Sequence, residues 1–246
     1  MKRLLPLLVL CAAVAGVAPK SADAGRECDG LIVCIPVAGP WVQVVGTARP
    51  TYYELRCPGR GQIIGGLDAD RAGPLGITFL GNLGGPVGPG ITTSQAAVFL
   101  AETTRELSGF RPLLGCIPTS GGGGRSRTIR ERSRQLQAVR EPTRQLQAVA
   151  PPIDATIRRV KNVRLKDRQR ERVTHACLDG ERLLSFSTAV AFHTRRPPSL
   201  SSLGSVRATP RSSGRRVVVT VRSGITRPVN TRVDVQIHAT CAKGPS

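Results

Sequence analysis

The chain has 246 residues and a formal net charge of +20, with 36 Lys+Arg against 16 Asp+Glu. Hydrophobic residues make up 40% and aromatics 3%, while Gly and Pro number 27 and 19. That is apolar enough to exclude wholesale disorder and too rich in helix breakers for an all-helical bundle. Beyond the N-terminus no apolar run reaches the ~18 residues of a membrane helix, which excludes a helical span in the mature chain.

Lys2 and Arg3 precede an apolar stretch from Leu4 to Val17, and Ala22-Asp23-Ala24 follows. This is a basic n-region, an apolar h-region and a small-x-small cleavage site, so residues 1–24 read as a signal peptide in preference to an uncleaved anchor. A lipid anchor at Cys11 is rejected, because Leu10 stands where a lipobox needs a small residue. Cleavage removes Cys11 and leaves six cysteines: Cys28, Cys34, Cys57, Cys116, Cys177 and Cys241. An even number in an exported chain reads as a disulfide framework.

Residues 25–120 read as a Gly/Pro-rich β module. Trp41 to Val45 and Tyr52 to Arg56 are strand-like, and Ile77 to Leu80 and Ala96 to Ala101 are short strands among turns. Gly59-Arg60-Gly61 with Gly65 and Gly66 lacks the spacing and the following helix of a dinucleotide loop, so it reads as a turn. Asp68 and Asp70 sit on one face of a strand; such a pair is more often a solvated edge than a Ca²⁺ site.

Residues 121–157 form an Arg-rich linker. Within it Glu131 to Arg140 and Glu141 to Ala150 are tandem ten-residue copies, each carrying Arg-Gln-Leu-Gln-Ala-Val. Leu136, Val139, Leu146 and Val149 make a narrow stripe at helical spacing. Pro142 suits the start of a second helix or a kink, so a helical hairpin, a bent helix and a disordered tether all fit. Ile153, Ile157 and Val160 could extend a helix toward the next module.

Residues 158–246 read most plainly as β. Val217, Val219 and Val221 alternate with polar positions, as do Val233, Val235, Ile237 and Ala239, in phase with Cys241. The turn-rich stretch between them, with Gly224, Pro228 and Asn230, predicts an antiparallel hairpin. On the same alternation His175 faces inward with Val173 and Cys177, and His238 faces outward.

A weak internal repeat organises the whole. Tyr52 to Ile64 and Arg172 to Leu184 share a strand-like run ending in cysteine, a Gly-containing turn, a polar residue and an apolar pair. A second cysteine follows each. Two copies of one module predict the pairs Cys57–Cys116 and Cys177–Cys241, which leaves Cys28–Cys34. The expected fold is all-β: two small antiparallel sandwich-like modules, each with one disulfide, joined by a basic linker. An immunoglobulin match is not supported, because Trp41 precedes Cys57 where that fold needs its core Trp between the paired cysteines.

Charge is uneven. Residues 25–124 are net zero, residues 125–172 net +10 and residues 173–246 net +8, and almost all of it is arginine. Dense arginine suits phosphate or carboxylate polymers, although a coding bias toward arginine gives the same excess. The candidate polyanion-binding residues are Arg130, Arg132, Arg134, Arg158, Arg159, Lys161, Arg164, Arg168, Arg170 and Arg172. The scarcity of aromatics argues against single-stranded nucleic acid as the partner.

No phosphate loop, nucleophile elbow, metalloprotease motif or cofactor fingerprint occurs. The expected function is therefore an exported, non-enzymatic binding or structural protein contacting anionic envelope polymers. The alternative is an extracellular hydrolase of a wall polymer. Its loop-built site would have to bring together acids such as Asp68, Asp70, Asp179 and Glu181.

Overall fold

The computed structural model describes residues 26–46, 49–59, 61–81, 86–88, 91–92, 95–118, 147–149, 156–165, 170–224 and 231–243. The expected signal peptide and the expected linker, apart from residues 147–149 and 156–157, lie outside these.

The described chain is nearly all strand, with one short helix. The first half contributes β1 (Ile35–Ala38), β2 (Trp41–Val45), β3 (Thr51–Arg56), β4 (Gln62–Ala72), β5 (Gly76–Gly81), β6 (Pro86–Gly88), β7 (Ile91–Thr92), β8 (Ala96–Glu102) and β9 (Leu107–Pro118). β10 (Gln147–Val149) follows, then β11 (Thr156–Arg164), β12 (Arg170–Ala176), β13 (Glu181–His193), the helix α1 (Leu200–Gly204), β14 (Val206–Ser213), β15 (Arg216–Ser223) and β16 (Arg232–Lys243). The expected strands at 77–80 and 96–101 are present as β5 and β8.

Seven strands form one large sheet. β9 holds β4 on one edge and β1 and β2 end to end on the other; β2 meets β13, then β16, then β11. Two smaller sheets have the orders β10-β5-β8-β3 and β12-β15-β14. All pairings are antiparallel except β10 with β5. The pattern β2-β9-β4 with β3-β8-β5 in the first half matches β11-β16-β13 with β12-β15-β14 in the second.

The matching extends to local detail. Gly59 N–H donates to Gln62 Oε1 at 2.8 Å, and Leu178 N–H donates to Glu181 Oε2 at 2.8 Å. Each turn has a glycine at φ 75°, Gly61 or Gly180, a conformation that side chains resist. Past the turn Ile64 lies opposite Cys116 and Leu183 opposite Cys241, and in both strands the register shifts immediately afterwards. The sequence comparison set Ile63-Ile64 against Leu183-Leu184. The structure moves that alignment by one residue, because the first turn carries an extra residue after its cysteine.

The two cores lie on opposite faces of the large sheet. One face carries Val42, Phe110, Leu114, Ala189 and Ala191 and is covered by Tyr53, Phe79 and Phe99 of the β3-β8-β5 sheet. The other carries Trp41, Phe192, Val233, Val235 and Ile237 and is covered by Val173, Val217, Val219 and Val221 of β12 and β15. Neighbours alternate between cores, as strand geometry demands: Val42 enters one and Trp41 the other.

Three expectations change. β15 and β16 do not form a hairpin: β15 pairs with β12 and β14, and β16 with β11 and β13. Their inward valines face each other across a core, and burying both rows against each other removes more apolar surface than pairing the two strands edge to edge. Gln147–Val149, expected within a helical stripe or tether, is a strand paired to Thr78–Leu80, and Ile157 and Val160 belong to β11 and not to a helix. His238 is 1% exposed instead of outward in solvent. Its side of β16 is the face that the first half covers. The halves also meet directly, since β2 pairs β13 at Val42–Ala191 and Trp41–Phe192.

Candidate functional site

All six cysteines of the framework are bonded: Cys28–Cys34, Cys57–Cys116 and Cys177–Cys241. The longer bridges close loops with sequence separations of 59 and 64, each worth about 4 kcal/mol on the chain-entropy model. Cys177, Cys241 and Glu181 bring potential metal-ligating atoms within 4.8 Å of one another, but both sulfurs are spent in the disulfide.

The arginines expected to act together are dispersed. Arg130, Arg132, Arg134 and Arg168 lie outside the described residues. Arg159 donates Nε and Nη2 to Glu181 at 2.8 and 2.5 Å. That fork, with the Leu178 N–H, holds the Glu181 carboxylate down at about 2. Lys161 Nζ donates to the Thr174 carbonyl at 2.9 Å and so ties β11 to β12. Arg164 is exposed and stands opposite Asp234. Arg158 lies half-buried with its guanidinium 5.2 Å from the centre of the Tyr52 ring; burial lowers its pKa, against the pull of Tyr52 and Glu54.

Arg170 and Arg172 belong to a different constellation. In the sheet β12-β15-β14 the inward row Val217, Val219 and Val221 is fully buried, so the residues between point outward. Directly opposed partners in antiparallel strands share a face. One outward row is therefore Arg170–Arg222–Arg207, the next Arg172–Thr220–Thr209, then Thr174–Val218–Arg211 and Ala176–Arg216–Ser213. Six exposed arginines share this face, with no acidic residue on it among the described residues. Four of them, Arg207, Arg211, Arg216 and Arg222, escaped the sequence reading. They form no run in the chain, and only the strand register collects them.

The buried residues where the halves meet form a hydrogen-bonded polar cluster, in which His238 Nδ1 is left without a partner among the described residues. Gln236 Oε1 accepts the Glu54 N–H at 2.5 Å, and Gln236 Nε2 donates to the Glu54 carbonyl at 3.0 Å and to Asn162 Oδ1 at 3.0 Å. Glu54 lies on β3, an edge strand, so a glutamine amide from the second half satisfies the open edge of the first. His238 Nε2 lies 2.6 Å from Gln236 Oε1, which makes it the donor and fixes the tautomer. Burial, then the charges of Arg158 and His175, push the His238 pKa down to about 3. His175 is half-buried and also lowered, first by burial.

Among the described residues, Asp68, Asp179 and Glu181, acids named for a loop-built site, have other partners. Asp179 is paired to Arg215 and Glu181 to Arg159. Asp68 accepts the Ala69 N–H at 2.8 Å on β4, and burial raises its pKa. Asp234 binds His193 at 2.8 Å and Arg232 at 2.7 Å. Burial opposes its charge, but those two partners outweigh it and lower the pKa. Among the described residues no hydroxyl is hydrogen-bonded to His193.

Compared with known protein families and with characterised proteins, the chain matches none. Among the described residues, no helix is long and apolar enough to cross a membrane.

Proposed function

We propose that this is an exported, non-enzymatic binding protein for anionic polymers, with the outer face of β12-β15-β14 as its contact surface. The observation that carries this reading is the six-arginine face itself, with Arg170, Arg222 and Arg207 in direct cross-strand opposition. Like charges directly opposed weaken a sheet, and a polyanion laid across the row relieves that repulsion and releases its own counterions. Arginine suits the task because its planar fork matches carboxylate, sulfate and phosphate oxygens.

The architecture supports display of such a face. The chain is two copies of one disulfide-tied sandwich-like module, residues 25–120 and 158–246, joined by the arginine-rich segment 121–157. Support comes from the matching strand orders, the matching glycine turns and the matching bridges. Residues 1–24 direct export, and three disulfides suit an oxidising compartment.

Retention on immobilised heparin tests the reading. The wild type elutes at high salt, with a steep dependence of log retention on log salt. The triple variant Arg170→Gln/Arg207→Gln/Arg222→Gln loses about two to three units of that slope. Deleting residues 125–150 lowers it further. Wild-type elution at low salt, or a triple variant with unchanged slope, overturns the assignment of this face.

A further inference from the structure

The large sheet splits where its halves meet. β13 runs the length of β16 but pairs with β2 only at Ala191 and Phe192. From Leu184 to Val190 its other edge has no strand partner among the described residues. That edge lines a cleft of about 760 Å³, with Tyr52 and Arg158 on one side and Arg207 of β14 on another. Arg49, Arg158 and Arg207 face it against one acid, Glu106.

We propose that this cleft binds an acidic peptide segment in extended form, which adds as a strand along β13. An unpaired row of N–H and C=O groups is a template for strand addition. At 3.3–3.4 Å per residue the open stretch spans about 20 Å, the length of an ordinary strand. Side chains of an added strand alternate between the two faces of the sheet. Arg158 lies opposite Thr240, on the face covered by β3, and β14 lies over the other face. Acidic side chains on the β3-covered face thus meet Arg158, while Arg207 lines the β14 edge of the cleft.

Charge also disfavours the arginine-rich segment of this chain as the occupant. Residues 125–150 of the chain hold seven arginines against two glutamates. The cleft repels that segment.

This proposal shares only Arg207 with the polymer-binding face, and the test, which leaves Arg207 in place, separates the two. The probe is a fluorescein-labelled seven-residue peptide of Glu, Asp and Val, read by anisotropy at low salt. Its companions are a version with Lys in place of the acids and two N-methylated versions modified at alternate residues. The acidic peptide should bind at least tenfold tighter than the Lys version. One N-methylated version should lose at least tenfold and the other much less, because only alternate N–H groups face β13. Arg158→Glu and Arg49→Glu should each weaken binding about tenfold. Arg170→Gln/Arg222→Gln should leave it within twofold while reducing heparin retention. No binding, equal binding of acidic and basic peptides, or equal binding of both methylated versions overturns the proposal. So does a wild-type dimer in sedimentation that shields the β13 amides, which would make a second copy the occupant.

Discussion

The sheets β3-β8-β5 and β12-β15-β14 have the same strand order and opposite surfaces. Away from its core, the first presents Leu80, Ala96 and Val98, all buried, and sends Tyr52 and Glu54 to the second half. The second presents six exposed arginines. A shared backbone plan therefore fixes the inward rows, Ala97, Phe99 and Ala101 in one case and Val217, Val219 and Val221 in the other, while leaving the outward rows free to diverge. One outer face is buried and its edge strand β3 meets the second half, whereas the other is a charged exterior.

Removing each long bridge probes whether the halves are equally dependent on their ties. Cys57→Ala/Cys116→Ala and Cys177→Ala/Cys241→Ala should each cost about 4 kcal/mol in urea unfolding. A much smaller loss in one half would show that its packing carries it without the bridge. The joint is tested by Gln236→Leu, which strands the Glu54 N–H and carbonyl in a buried setting. About 3 kcal/mol should be lost, against a change of under 1 kcal/mol in either direction for Arg222→Gln on the exposed face.

The joint also predicts a pH response that the charged face does not share. His238 titrates near 6.5 when unfolded and near 3 when folded. Between those values the unfolded chain binds the extra proton, so stability falls as pH falls. The loss should be about 2 kcal/mol between pH 7 and pH 4.5, and His238→Gln should flatten it. Glu181 adds a lower window: its folded value of about 2 gives stability that is present above about 4.5 and lost as pH falls toward 2. Arg159→Gln should remove that second loss. An unchanged urea midpoint for wild type from pH 7 to 4.5 would falsify the buried neutral state of His238.

The smallest effect has the opposite sign. Arg222→Thr removes the middle of three opposed charges, and a β-branched residue suits the strand. Stability at low salt should rise by about 0.5 kcal/mol while heparin retention drops. Loss of both together would mean that the row is held by partners other than a polyanion.

Much of this was legible in the sequence where the signal is local. Valine alternation marked the inward rows of β15 and β16, and cysteine spacing in both halves gave the three bridges. What escaped depends on contacts between distant strands. Alternation alone placed His238 in solvent, because nothing near residue 238 announces that Tyr52 and Glu54 cover it. The arginine face is invisible for the same reason: positions 170, 207 and 222 become neighbours only through register. The run Arg158-Arg159 misled in the other direction. Adjacent strand residues point to opposite faces, so one packs on Tyr52 and the other binds Glu181.

Gly66 and Gly115 are opposed on β4 and β9, and a Cβ built on either would overlap the Glu27 carbonyl. The methyl of Gly115→Ala would also come within 2.9 Å of Cys34 Sγ. These two positions form a bare patch on which the small N-terminal ring, closed by Cys28 and Cys34, is seated. Cys28 and Cys34 are already half-exposed while the other four cysteines are buried, and a side chain at either glycine would lift the ring from the sheet and open this most accessible bridge further to thiol attack.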